Sequence, residues 1–374
     1  MKKYTILGDL ITPAKVVRCG KGNYPVLSIT MHDGIVLQSD RFKKSLASAD
    51  QSDYKVVEYG KLVIGFPIDE GVLYIQKVAP EGIMSPAYST WDVDTTRINP
   101  DFLELCLHSP QSMQYYKDKL RSTTARRRSI PTADLLALRI RTPDMESQLE
   151  AVAVARKVDE MIAIRHAQAT LLDQLVKSRF IELFGDPMTN PKGFPCYTVG
   201  EVIDFQGGSQ PDKKYFEYES TPDNIRLIQI RDYKSDKYIT YIPRAMAKRF
   251  CTADDIMVGR YGPPIFQILK GIEGSFNVAL MKATPKMGNR EFARQFLKQD
   301  CLLEYLEGLS KRTAGQDGIQ MDKLKAYPFP YPPIELQEQF AAFVEQVDKS
   351  KLAVQQGLKE LEILKKSLMQ QYFG

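Results

Sequence analysis

No run of about 18 apolar residues occurs in the 374-residue chain and its mean hydropathy is −0.30, so no membrane-spanning helix is expected. The first nine residues meet Gly8 and Asp9 before any apolar stretch of signal-peptide length, so no export signal is expected either. Cysteine is sparse and scattered. Cys19, Cys106, Cys196, Cys251 and Cys301 stand singly without a CxxC pair, which argues against a zinc knuckle or a disulfide framework and fits the reducing cytoplasm. Histidine is limited to His32, His108 and His166, which leaves little for metal or general-base chemistry built on imidazole. There is no Walker A loop, no HExxH, no GxSxG and no nuclease-type pair of carboxylates with a lysine. What is present is an ordinary globular composition, 43% hydrophobic and 26% charged, long enough for two or more domains. Fifty-one Lys and Arg against 46 Asp and Glu leave +5, a mild lean toward anionic partners.

An internal repeat is the main signal. Residues 142–185 lie over 331–374 without a gap at an offset of 189. Pro143/Pro332, Glu146/Glu335, Gln148/Gln337, Ala153/Ala342, Val158/Val347, Asp159/Asp348, Leu172/Leu361, Leu175/Leu364, Lys177/Lys366, Ser178/Ser367, Phe184/Phe373 and Gly185/Gly374 are identical. The offset carries upstream through Thr124-Ala125 over Thr313-Ala314, Ile130 over Ile319 and Leu135 over Leu324. The chain is thus a duplicated unit, each copy a variable globular part followed by a better-matched segment.

That segment reads as a long helix. Met145 to Leu183 and Ile334 to Tyr372 contain no proline and a single glycine, Gly357. Apolar residues recur in a heptad-like seam at Leu336, Phe340, Phe343, Val347, Val354, Leu361, Leu364 and Leu368, and at Val154, Val158, Met161, Leu172 and Leu175, flanked by Ile162, Ala169 and Val176. Prolines stand before each helix and glycines after it. At about 1.5 Å per residue, roughly 38 residues reach about 57 Å, far more than one small domain can cover, so pairing the two seams with each other buries both. Arg165 interrupts the first seam and Lys351 flanks the second.

The chain then divides as 1–141, a first globular domain; 142–185, a central helix; 186–330, a second globular domain; and 331–374, a C-terminal helix. The globular parts read as mixed α/β. β-rich runs are expected at 24–30, 62–66, 72–76, 226–230 and 255–259, and helices at 101–107, 112–120 and 290–309.

No residue set stands out as catalytic. Asn99-Pro100-Asp101-Phe102 approaches the Asn-Pro-Pro-Tyr/Phe pocket of amino-methyltransferases but departs at Asp101, has no Gly-rich turn for S-adenosylmethionine with it, and reads as a helix N-terminus. Nucleic-acid chemistry is better represented. In the second unit, Gln210, Lys213 and Lys214 follow Gly207-Gly208; Gln229, Arg231, Tyr233 and Lys234 follow one strand; Arg260 and Tyr261 follow another; Arg312 and Gln316 lie between a helix and a strand. In the first unit, Arg121, Arg126, Arg127 and Arg128 crowd the corresponding loop, and Lys43 and Lys44 add to the basic candidates. Arg and Gln can form bidentate contacts with guanine and adenine edges, while Lys takes phosphates. Arg126 and Arg127 stand where the second copy has Gly315 and Gln316, so the two units should not read the same bases. Met113, Tyr115, Tyr116, Phe296, Leu302, Leu303 and Tyr305 read as core, and Trp91 as packing.

In this order the features resemble the specificity subunit of type I restriction-modification enzymes. The strings that carry the likeness are Leu171 to Pro187 closing the central helix, Val57 to Gly60 with Gly82 to Tyr88, Gly259-Arg260-Tyr261-Gly262, and Thr313-Ala314-Gly315-Gln316 leading to Ile319 and Leu324. The likeness spans essentially the whole chain. It implies an α+β fold of two target-recognition domains joined by two long helices pairing as an antiparallel coiled coil with pseudo-two-fold symmetry. It implies a non-catalytic chain that reads a bipartite, asymmetric site in double-stranded DNA and binds no cofactor itself. Two methyltransferase subunits would methylate adenine with S-adenosylmethionine, and restriction motor-nuclease subunits would use ATP and Mg. Two alternatives stay open on the residues: a solitary or fused adenine methyltransferase working through Asn99 to Phe102, and a structural coiled-coil protein that does not touch DNA.

Overall fold

Thr198 accepts a hydrogen bond from the Glu201 N–H while the Glu201 carboxylate accepts from the Thr198 N–H, and this capping box starts the short helix Val199–Val202 that opens the second globular part. Gly200 in that turn lies so close to Lys325 that a Cβ would sit 3.0 Å from the lysine's own. The first globular part opens on the 3₁₀ turn Leu7–Asp9, which has no side-chain cap but likewise sets its glycine, Gly8, against a neighbouring residue, Leu136 (3.2 Å for an added Cβ). The computed structural model describes residues 3–31, 33–41, 50–120, 128–261, 264–310 and 318–374, which form two units, Met1–Ala167 with Gln355–Gly374 and Gln168–Val354.

In the first unit, strand Tyr4–Ile6 pairs antiparallel with Arg139–Arg141. An antiparallel four-stranded sheet follows in the order Ile11–Pro13, Ser89–Val93, Leu62–Ile64, Leu73–Ile75. A three-stranded sheet (Val17–Arg18, Lys55–Glu58, Glu81–Met84) and the hairpin Leu27–Ile29/Ile35–Leu37 complete the β structure. Helices Pro100–Leu107 and Pro110–Lys119 each begin at a side-chain cap, Asn99 and Ser109, with proline at the first helical position.

The second unit repeats the plan. Cys196–Thr198 pairs with Pro328–Pro330, and the four-stranded sheet runs Ile203–Gly207, Leu280–Pro285, Ile256–Gly259, Gln267–Lys270. It adds a second four-stranded sheet, Tyr241–Pro243, Asn224–Ile228, Gly274–Phe276, Phe250–Cys251, whose central pair is parallel. The helix expected over 290–309 is two, Arg290–Leu297 and Asp300–Ser310. The buried Gln299 donates to the Gln295 carbonyl (2.9 Å) at the break, and the bend lets Phe292, Phe296, Leu302 and Leu306 all face one core.

The long helices are Met145–Phe184 and Ile334–Leu368, the latter ending in a π-helical turn, Met369–Phe373. Within the first unit the stretch from Met145 meets the stretch from Gln355 in antiparallel fashion: Lys365 pairs with Asp159 (2.6 Å), and Gly357 lies under the Arg165 guanidinium, which an added Cβ would meet at 3.5 Å. Within the second unit Lys351 pairs with Asp173, and Phe180 and Phe184 pack edge-on against Phe340 (5.6 and 5.3 Å between centroids). Of the heptad residues, Val158, Phe340, Val347, Val354 and Leu361 are buried, and Leu172, Phe343 and Leu368 are half-buried. Val154, Met161, Leu175 and Leu364 are exposed; next to Leu175, Val176 takes the inward place. A straight helix drifts about 20° per heptad from a strict 3.5-residue repeat, so a seam extrapolated over five heptads slides off the buried face.

The duplication extends to buried polar contacts. Gln148 and Gln337, both fully buried, each donate to a proline carbonyl at the start of their helix (Pro143, 2.9 Å; Pro332, 2.8 Å). Each also accepts from the backbone N–H of a helix cap, Asn99 (2.8 Å) and Asn289 (2.9 Å). One glutamine thus ties each long helix to the globular part of its own unit.

Candidate functional site

Three segments of the second unit leave their strands at one turn. Residues 277–279 link strands Gly274–Phe276 and Leu280–Pro285. Asn277 N–H donates to the Ile228 carbonyl (3.0 Å), where strand Asn224–Ile228 ends, and Arg260 N–H donates to the Ala279 carbonyl (2.9 Å), where strand Ile256–Gly259 ends. Gly208 and Ser209, just past strand Ile203–Gly207, donate to the carbonyls of Leu280 and Phe276 (both 3.1 Å). Gly208 has to be glycine because a Cβ there would lie 2.0 Å from the Asn277 carbonyl oxygen. At Gly259 a Cβ would lie 3.0 Å from the Ile230 side chain, so the second and third exits are packed together.

These exits carry most of the described residues that the sequence nominates. Gln210 is exposed and donates to the Pro211 carbonyl (3.2 Å). Lys213 and Lys214 are exposed in the turn that Asp212 caps, with Lys214 Nζ 5.0 Å from the Tyr215 ring centre. Arg260 is half-buried beside Gly207 and over the Tyr261 ring (5.3 Å), and Tyr261 bridges antiparallel to Gly318. Gln229 is half-buried, while Arg231 and Lys234 are exposed. The turn Ile230–Tyr233 between them is fixed at both ends: Asp232 accepts from the Gln229 N–H (3.0 Å) and its own N–H donates to the Gln229 carbonyl (3.0 Å). Burial raises the Asp232 carboxyl above the ordinary carboxylate range, opposed by the Gln229 N–H and the charges of Arg226 and Arg231.

Tyr233, nominated with these, turns inward. Its ring packs against the Ile228, Cys251, Met257, Phe276 and Leu280 cluster, its hydroxyl is buried, and burial raises its pKa. One helical turn carries it to the face opposite Arg231. Thr240 and Asn277, which tie the site together, were not singled out by the sequence, because a lone buried hydroxyl or amide leaves no periodic signal.

In the first unit, Arg128 is an anchor. Its guanidinium bridges Asp69 (3.1 Å) and Glu70, and its carbonyl accepts from the Ile68 N–H (2.9 Å). Lys43, Lys44, Arg121, Arg126, Arg127, Arg312 and Gln316 lie outside the described residues.

Asn99 to Phe102 form a helix cap. The Asn99 side chain accepts from the Phe102 N–H (3.1 Å), and Phe102 is fully buried against Phe373 (5.1 Å between centroids), so neither is placed to hold a base. The His108 ring nitrogens lie 2.8 and 2.9 Å from the carbonyls of Glu104 and Gly71. Among the described residues no group of three His, Cys, Asp or Glu could hold a metal ion, and no helix is long and apolar enough to cross a membrane.

Comparison with known proteins finds a family match in the second half and a shared fold along the whole chain. Residues 191–363 match the family model described as type I restriction modification DNA specificity domain. The whole chain shares its fold with a solved chain from work on complex assembly and conformational transition of the type I restriction-modification system. That likeness has a TM-score of 0.62 at 17% identity, over 99% of this chain and 97% of that one. The S subunit of a type I restriction-modification system from M. genitalium aligns over 100% of this chain and 96% of its own, with a TM-score of 0.53 at 14% identity. Residues 191–363 thus match the type I restriction modification DNA specificity domain, and the chain shares its fold along its full length with solved type I restriction-modification chains.

Proposed function

We propose that this chain is the DNA-reading, non-catalytic subunit of a cytoplasmic type I restriction-modification complex, each globular domain reading one half of a bipartite, asymmetric site in double-stranded DNA. The observation that carries this reading is the meeting of three strand exits at residues 277–279, which gathers Gln210, Gln229, Arg231 and Arg260 in one region of the second unit. Glutamine and arginine at the ends of rigid strands are suited to bidentate base contacts, and Lys213, Lys214 and Lys234 around them to phosphates. Tyr261, exposed beside Arg260, adds an aromatic face.

The long helices would pair as a coiled coil and carry two methyltransferase subunits. Each unit leaves large apolar side chains of its helix pair in solvent, Ile164 and Ile363 (70% exposed) in the first, Leu171 and Leu352 (67%) in the second. S-adenosylmethionine would be bound by those partners, and ATP and Mg by restriction motor-nuclease subunits that join them. The capping role of Asn99 and the burial of Phe102 weigh against a methyltransferase site in this chain.

Reconstitution tests the reading. The purified chain alone should neither bind S-adenosylmethionine nor methylate DNA. With its methyltransferase subunits it should direct adenine methylation to one bipartite sequence. Methylation by the chain alone, or methylation by the complex at a site independent of which specificity chain is supplied, would overturn it.

A further inference from the structure

Gln229 and Arg231 share one hydrogen-bond partner that does not reach solvent. Thr240 is fully buried, and its hydroxyl accepts from Gln229 Nε2 (3.1 Å) and from Arg231 Nη2 (3.0 Å) while donating to the Tyr238 carbonyl (3.3 Å). A hydroxyl has one proton and two lone pairs, so the site is saturated. Its position is fixed in turn, because the Thr240 carbonyl accepts from the Leu227 N–H (2.8 Å) in the strand that ends just before Gln229. On its other side the Arg231 guanidinium lies 5.9 Å from the centre of the exposed Tyr238 ring.

The chemistry left over on the two side chains is what base recognition needs. Gln229 keeps a lone pair on its carbonyl oxygen and its second amide proton, the acceptor and donor that match the N6 and N7 edge of adenine. Arg231 keeps Nη1 and the outer proton of Nη2, enough for a fork on guanine O6 and N7. Held apart from each other, both side chains would lose several rotatable bonds on binding. Tied to one buried oxygen, they meet DNA with that ordering already done.

We propose that Thr240, with Tyr238 across the guanidinium, is the positioning device that sets the base preference of the second recognition domain by clamping Gln229 and Arg231. The proposal rests on the DNA-reading function above. Its test uses the full chain assembled with its methyltransferase subunits, a library of duplexes randomised across one half-site, and sequencing of the methylated members. Thr240→Val keeps the shape and removes the hydroxyl. It should lower discrimination at one or two adjacent base pairs by about tenfold, leave the salt dependence of binding unchanged, and be rescued by Thr240→Ser. Tyr238→Ala, on the exposed side, should relax only the base pair read by Arg231, and it keeps the test decisive if the valine variant fails to fold. A wild-type complex without any base preference would refute the DNA-reading function itself. A wild-type complex that discriminates, with Thr240→Val or Tyr238→Ala discriminating equally well, would refute the clamp alone.

Discussion

Phe180→Ala is expected to destabilise the second unit by about 3–5 kcal/mol, the range for removing a fully buried aromatic ring from a core that cannot collapse around the gap. Phe180 is 1% exposed on the long helix Met145–Phe184. It stacks on Phe292 (5.6 Å, 13° between planes) and meets Phe184 and Phe340 edge-on. Those rings come from three separate helices, so no single side chain can move into the void without breaking another contact. Chemical denaturation followed by far-UV circular dichroism should show the lower midpoint. Leu175→Ala, five residues earlier on the exposed face, should cost no more than about 0.5 kcal/mol of stability. Equal effects of the two substitutions would mean that the helix faces are assigned wrongly.

The second large effect concerns salt. Lys213, Lys214 and Lys234 lie exposed around the three strand exits, and each phosphate contact to duplex DNA contributes about 0.9 to the slope of log affinity against log salt. Alanine at all three should make that slope less steep by about two to three for the assembled complex, while leaving the preferred sequence largely intact, because phosphate contacts set register and carry little base information. Gln229→Ala should behave in the opposite way, relaxing one position of the recognised sequence with little change in slope. If the triple variant keeps the wild-type slope, the DNA path does not cross these exits.

Much of this was legible in the chain. The long helices were, because a 40-residue stretch without proline and with a repeating apolar spacing leaves few alternatives, and because the same pattern occurs twice. The strands at Leu62–Ile64, Leu73–Ile75, Asn224–Ile228 and Ile256–Gly259 fell within or close to the β-rich runs. Gln148 and Gln337 stood out as identical in the two copies, but their shared task, holding a cap asparagine's backbone, depends on residues about 50 positions away. The inward face of the helices was harder, since heptad counting and true helical pitch diverge over such length; Leu175 and Val176 differ by one position and by the whole width of the buried stripe. In the site, Gln229, Arg231, Arg260 and Tyr261 were legible as polar and aromatic residues just past strands. Tyr233 was grouped with them by sequence adjacency, while the 3₁₀ turn sends it into the core. Thr240 was invisible for the converse reason: a single threonine among Tyr238, Ile239 and Tyr241 reads as strand, and only the fold brings its hydroxyl under two side chains from another segment.

The measurement that bears most directly on the account is single-molecule sequencing of modified bases in the genome of the host strain, with the gene intact and with it deleted. The account predicts one bipartite, asymmetric motif carrying methyladenine in each half, present with the gene and lost without it, and altered in only one half when residues 186–330 are exchanged for those of a relative with a different sequence there. An adenine methylation pattern unchanged by the deletion, in a strain whose methyltransferase subunits are expressed, would contradict it.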